Sequence, residues 1–264
     1  MPRFKLLIEY AGTRYSGWQI QKNARTVQGE IDRAIREVSR RKDFELYGSG
    51  RTDAGVHAIA QAAHLELYTT VAPETLRRRI NDELPADIHI RSIAPVPHRF
   101  HARHDAVARS YLYQISRRRT AFAKAFVWWI REPLDVEAMR TAAAGFVGMQ
   151  DFAAFTDDDP QEKSTRVLVE RLDVVEAGAL ILVRIQGSHF LWKMVRRIVG
   201  VLAAVGRREI DAVDAARLLD GRQPKPSGLE PAALTAPAAG LFLEGVYYEG
   251  DAGPGPVRPL FTID

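Results

Sequence analysis

The sequence predicts an α+β fold in two halves, and three observations carry the prediction. Apolar strand-like runs alternate with helix-period segments through the whole chain. Residues 4–96 follow the order strand–helix–strand–strand–helix–strand, and residues 110–248 repeat the theme more loosely. Split units of that order form antiparallel sheets with helices on one face. The boundary falls near residue 105, giving halves of 1–105 and 106–264 with no flexible linker between them.

In chain order, FKLLIEY (4–10) is a short apolar run that ends at a glycine-containing turn, and it reads as a buried strand. From Thr26, a plausible N-cap, Val27, Ile31, Ala34, Ile35 and Val38 recur on one face of a helix whose other face carries Arg33, Arg36, Arg40 and Arg41. Strands follow at 44–48 and 60–68, then a helix opened by Pro73, then a strand over 87–96. In the second half the pattern predicts a strand at 110–115, a helix at 135–148, and strands at 166–176 and 179–187 joined by a turn at Gly178. The strongest helical period covers 190–207, with Lys193, Arg196 and Arg197 near its start. A shorter helix (211–219) and a strand (240–248) complete the elements, and the Pro/Gly-rich tail reads as loosely ordered.

Composition narrows the chemistry. The 264 residues are 46% hydrophobic and 27% charged, which is ordinary for a globular protein. No cysteine is present, which excludes disulfides, thiolate metal sites, iron–sulfur clusters and a cysteine nucleophile. No apolar run reaches the roughly 20 residues needed to span a bilayer, and the first residues lack signal-peptide features, so a cytoplasmic location is expected. Of 37 basic residues 30 are arginine, and the isoelectric point is near 9.4. Guanidinium forks suit phosphates and base edges. A GC-rich genome also raises arginine content, so composition permits nucleic acid without proving it.

The stretch GSGRTDAGVHA (48–58) sets Asp53 close to Arg51 among small residues. A carboxylate beside an arginine stays ionised and can serve as nucleophile or base, although TDAG is also ordinary turn composition. An aspartic-protease site is excluded, because no second copy supplies the paired carboxylate. The stretch also lacks the Lys-Ser/Thr ending of a phosphate loop and the spacing of a dinucleotide fingerprint, which argues against a nucleotide cofactor. His98, His101 and His104, with His57, His64 and His89, are better read as solvated or RNA-facing than as metal ligands. Nearby prolines disfavour the helix that would align the first three as ligands. Tyr111 and Tyr113 on a predicted strand are either core aromatics or a stacking platform for a base.

Taken together, these stretches resemble the TruA family of tRNA pseudouridine synthases. The resemblance rests on GSGRTDAGVHA and on LIEYAGTRYSGWQIQ (7–21), TVQGEI (26–31), FHARHDAVARSYLYQI (100–115), DFAAF (151–155), FLWKMVRRIVGVL (190–202) and APAAGLFLEGVYY (236–248). Trp192-Lys193 departs from the histidine or asparagine common there, and DDDPQEKSTR (157–166) is unremarkable. The resemblance implies a pseudouridine synthase fold of two pseudo-symmetric halves around a basic central cleft, a homodimer, and tRNA as partner. It implies breakage of the uridine C1′–N1 bond and formation of C1′–C5 with no cofactor and no metal. Asp53 matches the catalytic aspartate, whether it attacks C1′, adds to C6 or assists a glycal intermediate. Arg51 then reaches toward the space left in the RNA, Tyr111 stacks on the flipped base, and Arg196 pairs with the aspartate. The implied targets are uridines on the 3′ side of the anticodon stem-loop, about positions 38–40, recognised more by shape and phosphate contacts than by sequence.

Two other readings make different demands. A non-catalytic RNA-binding or tRNA-folding protein predicts damage to Asp53, Tyr111 or Arg196, and all three are present. A carboxylate-pair glycosidase needs a second acid about 5–10 Å away, for which only Glu45 or Asp82 offers itself, neither within a motif.

Overall fold

Alternation decides the first strand: Phe4, Leu6, Ile8 and Tyr10 are buried while Arg3, Lys5 and Leu7 are only partly so. The computed structural model describes residues 1–219 and 229–263. Its elements, in order, are β1 (Arg3–Tyr10), α1 (Val27–Ser39), β2 (Glu45–Gly48), β3 (His57–Glu66), α2 (Pro73–Glu83), β4 (Ile88–Val96), β5 (Ala106–Ser116), β6 (Trp128–Trp129), α3 (Val136–Ala144), β7 (Gly148–Asp151), β8 (Arg166–Ala177), β9 (Leu180–Gly187), α4 (Met194–Gly206), α5 (Ala212–Arg217) and β10 (Leu241–Tyr248). The class is α+β, as the pattern predicts. Two units emerge, one from Met1–Val107 with Phe242–Gly253, the other from Ala108–Leu241 with Pro254–Asp264.

In the first unit β1 runs antiparallel to both β3 and β4, and β2 lies antiparallel to the far end of β3. The start of β3 pairs in parallel with β10, Phe242 opposite His57 and Leu243 opposite Ala58. Thr26 caps α1 as expected, accepting the Gly29 N–H at 3.2 Å. Val27, Ile31, Ala34 and Ile35 are fully buried. Each of the three larger side chains contributes about 1.5–3 kcal/mol by leaving water. Asn81, near the end of α2, brackets Ile90 of β4: its amide donates to the Ile90 carbonyl at 2.9 Å and its carbonyl accepts the Ile90 N–H at 2.8 Å.

In the second unit β5 pairs antiparallel with β9, β9 with β8, and β8 with β7, while β6 lies parallel to the end of β5. Helix α3 packs on β8, α4 and α5. α4 is buried on nearly every side, as its apolar sequence requires.

Three expectations need correction. The helix predicted over 190–207 begins only at Met194, because Lys193 adopts a left-handed conformation (φ 61°) and breaks the period. The helix predicted over 135–148 ends at Ala144, and Gly148 (φ 100°) instead opens β7. The tail is packed rather than loose. Val257, Phe261 and Ile263 lie against Leu112, Val127, Leu180 and Leu182, the Leu260 N–H donates to Gln114 Oε1 at 3.0 Å, and Arg184 donates to the Gly255 carbonyl at 2.6 Å. Among the described residues no helix is long and apolar enough to cross a membrane.

Candidate active site

Asp53 lies on the connection from β2 to β3 in the first unit, and the segment 12–18 holds that connection through the backbone. The Trp18 N–H donates to the Thr52 carbonyl at 3.1 Å, and the Gly55 N–H donates to the Tyr15 carbonyl at 3.2 Å. Within the loop the Val56 N–H donates to the Asp53 carbonyl at 3.1 Å. Gly17 makes the close approach possible: a β-carbon there would stand 2.5 Å from the Thr52 carbonyl oxygen. Side chains add a second set of restraints. The Tyr10 hydroxyl is hydrogen-bonded to Thr52 Oγ1 at 2.8 Å, and the Ser49 hydroxyl donates to Gln61 Oε1 at 2.7 Å. Gln61 Nε2 then donates to the Gly50 carbonyl at 3.0 Å. The residues on either side of Asp53 are thus fixed by partners outside the loop, and the half-buried carboxylate is carried on a turn with few ways to move. Arg51, two residues earlier, is exposed.

Local electrostatics reinforce this frame. Burial, and then the Asp87 carboxylate that accepts its hydroxyl at 2.5 Å, push the Tyr15 phenol above its ordinary range, so it remains a neutral donor. His57, buried at the start of β3, accepts the Gly12 N–H on Nδ1 at 3.0 Å and stacks on Phe242 with ring centroids 4.7 Å apart. None of Tyr10, Tyr15, Gln61 and His57 stands out in the sequence as part of this support. Only the proximity of LIEYAGTRYSGWQIQ to the aspartate loop in three dimensions reveals them.

Tyr111 and Arg196 belong to the second unit. Tyr111 sits on β5 opposite Ile185 of β9, half-buried, with the Phe190 ring edge-on at 5.2 Å. Tyr113, two residues on and therefore on the same face of the strand, is wholly buried and donates its hydroxyl to the Pro237 carbonyl at 2.7 Å. It is a core residue. Arg196 lies in the first turn of α4. Its Nε donates to the Ala236 carbonyl at 2.7 Å, and the Ala236 N–H returns a bond to the Arg196 carbonyl at 3.0 Å. The reciprocal pair ties both the side chain and the backbone of Arg196 to Ala236.

The histidines divide. His98 and His104 are exposed, whereas His64 is 2% exposed and accepts the Ala102 N–H on Nδ1 at 3.2 Å. The His101 ring lies edge-on to His64 with centroids 4.7 Å apart and is tilted against His104 at 4.2 Å. Among the described residues no group of three or more His, Asp and Glu side chains is placed to hold a metal ion. Glu45 and Asp82, the acids a glycosidase would need, are both exposed.

The chain is thus an α+β protein that carries the Asp53 carboxylate on a turn fixed by backbone hydrogen bonds to a neighbouring segment. A family model described as tRNA pseudouridine synthase matches residues 6–105 and 142–249, which include Arg51, Asp53 and Arg196, while Tyr111 lies between the matched segments. The tRNA pseudouridine synthase A of Citrifermentans bemidjiense is 40% identical over 251 residues, 94% of this chain and 98% of that one. That of Rhodopseudomonas palustris is likewise 40% identical over 251 residues, 94% of this chain and 100% of its own. The tRNA pseudouridine synthase A 2 of Bacillus cereus is 36% identical over 94% of this chain and 100% of its own. The chain belongs to the tRNA pseudouridine synthase family.

Proposed function

We propose that this isomerase converts uridine to pseudouridine on the 3′ side of the tRNA anticodon stem-loop, with Asp53 as its reacting carboxylate. The observation that carries the reading is the immobilised Asp53 turn within a family match covering most of the chain. In the reaction the C1′–N1 bond breaks, the base turns, and C1′ bonds to C5. C5 gives up its hydrogen and N1 gains one, so product and substrate are isomers. Attack at C1′, addition at C6 and assistance to a glycal all use the same carboxylate and all release the C5 hydrogen.

A uridine within a stem is out of reach, so it must be flipped out at a cost of a few kcal/mol. In this reading Arg51, exposed beside the turn, reaches into the vacated stack, Tyr111 stacks on the extruded base, and Arg196 aims the carboxylate. The arginine-rich composition supports binding through phosphates, an interaction that weakens as salt rises. We further propose that the enzyme acts in the cytoplasm as a homodimer; sedimentation of the purified chain with and without tRNA tests the dimer.

The deciding experiment is tritium release from unmodified tRNA labelled at C5 of uridine, with wild type and Asp53→Asn compared in the presence of chelator. Wild type should release tritium and Asp53→Asn should not. The variant should still bind tRNA within about tenfold, or 1.4 kcal/mol, because many arginines share the binding. Turnover by Asp53→Asn refutes its role as the reacting carboxylate. Tight binding without release by wild type supports a non-catalytic tRNA-binding protein instead.

A further inference from the structure

The start of α4, which carries Arg196, is held by a loop that sequence reading passes over. The first turn of α4 contains no acidic residue, no side chain of its own caps it, and the preceding Lys193 is in the left-handed region. Acidic groups reach this end from a loop more than thirty residues earlier, where Asp157 and Asp158 bind the Lys193 side chain and the Trp192 backbone just ahead of the helix. Asp157 places one carboxylate oxygen on Lys193 Nζ at 2.8 Å and the other on the Arg197 guanidinium. Asp158 accepts the Trp192 N–H at 3.0 Å and pairs with Lys163 at 2.9 Å. The loop itself is fixed by the Asp158 N–H, which donates to Thr156 Oγ1 at 2.9 Å.

Arg197 is the demanding partner. Its side chain is 4% exposed, and Asp157 is the one carboxylate within ion-pair distance of it among the described residues. A buried guanidinium deprived of its counter-charge is strongly unfavourable. The two residues that Asp157 grips, at 193 and 197, flank Arg196, and Arg196 itself is stitched to Ala236 through side chain and backbone. Two negative charges at the amino end of a helix also suit its dipole.

We propose that Asp157 is a positioning residue for Arg196, an anchor that ties the first turn of α4 to the preceding loop through Lys193 and Arg197, and that Asp158 assists it at Trp192. The inference rests on the reading of Arg196 as part of the active site. The Lys193 ammonium and the Arg197 guanidinium hold the Asp157 carboxyl below its usual range, so the clamp is charged at neutral pH. Without that charge, Arg197 and Lys193 lose a common anchor and the first turn shifts. Small displacements of an aiming group cost rate more than affinity.

The test is steady-state tritium release by Asp157→Asn, Asp157→Glu and Arg196→Lys, with thermal unfolding of each and hydrogen exchange at Arg196 Nε followed by NMR. Asp157→Asn is expected to lower kcat about tenfold with KM within about threefold, while exchange at the Arg196 Nε–H quickens. Asp157→Glu, which keeps the charge, should recover most of kcat. Wild-type kcat in Asp157→Asn, with Arg196→Lys impaired, overturns the positioning role alone. A loss in Asp157→Asn explained wholly by its unfolded fraction, with unchanged Nε exchange, also overturns it. Near-normal kcat in Arg196→Lys overturns the active-site reading itself, and this inference with it.

Discussion

Replacing Gly17 by alanine should damage catalysis from behind the aspartate turn. Gly17 has φ 93°, and its added β-carbon would stand 2.5 Å from the Thr52 carbonyl oxygen, 3.2 Å from the Asp53 carbonyl carbon and 3.3 Å from the Ala54 nitrogen. All three neighbours are backbone, so no side chain can swing aside. A positive φ costs an L residue about 1–2 kcal/mol, and unrelieved overpacking about 1–3 more. The expected loss of about 2–5 kcal/mol compares with a typical fold stability of about 5–15, so a protein above the bottom of that range remains folded. Relief requires the Thr52–Asp53 backbone to move by about half an ångström, and since a misplacement of about 1 Å can cost up to a hundredfold, we expect kcat to fall tenfold or more. Urea unfolding measures the first quantity and tritium release the second. A Gly17→Ala protein with wild-type midpoint and kcat refutes the claim that the 12–18 segment holds Asp53 in place. Gly50→Ala is the matched control, since a β-carbon there meets nothing within 4 Å. Its stability should stay within about 0.5 kcal/mol of wild type. A loss of tRNA affinity in that variant therefore reports the approach of RNA to the bare backbone, and unchanged affinity refutes that use of the glycine.

Arg196→Lys should lose at least tenfold in kcat, because an ammonium cannot hold the Ala236 carbonyl and present a planar fork together; initial rates at saturating tRNA decide it, and near-normal turnover counts against the role of Arg196. Burial first, then the neighbouring His101 and Arg3, push His64 down to about 4. The fold therefore holds a neutral ring where the unfolded chain, with an ordinary value near 6.5, takes up a proton. Stability should be full above about pH 6.5 and decline as pH falls toward about 4, by on the order of 3 kcal/mol in all. Urea midpoints at pH 7 and pH 5 should converge in His64→Gln, and an equal acid loss in variant and wild type refutes the assignment. Tyr113→Phe leaves the Pro237 carbonyl without its donor and should cost about 1–2 kcal/mol, read as a lower urea midpoint at unchanged slope.

Local pattern exposed most elements because their causes are local. Thr26 and the apolar face from Val27 to Ile35 specify α1, and alternation specifies β1. What stayed hidden depends on partners distant in sequence. Leu191 is buried like a helix residue, so the 190–207 period runs on past Lys193, whose left-handed backbone no pattern announces. The tail looks loose because glycines and prolines dilute Val257, Phe261 and Ile263, which find their apolar neighbours only in the folded unit. At the candidate site the motif alone marks Asp53, yet the grip of residues 12–18 comes from a turn with no chemical signature. DDDPQEKSTR looked featureless because the meaning of Asp157 lies in Lys193 and Arg197.

The parallel pairing of β3 with β10 also has a consequence for the order in which the molecule is made. Residues 57 and 58, directly after the aspartate turn, find their ladder partners only at 242 and 243. During synthesis the first unit emerges earliest, yet the strand edge beside its aspartate turn stays open until residues 242 and 243 have followed. The nascent protein can build β1, β3 and β4 early, but the sheet beside Asp53 is completed only when β10 arrives.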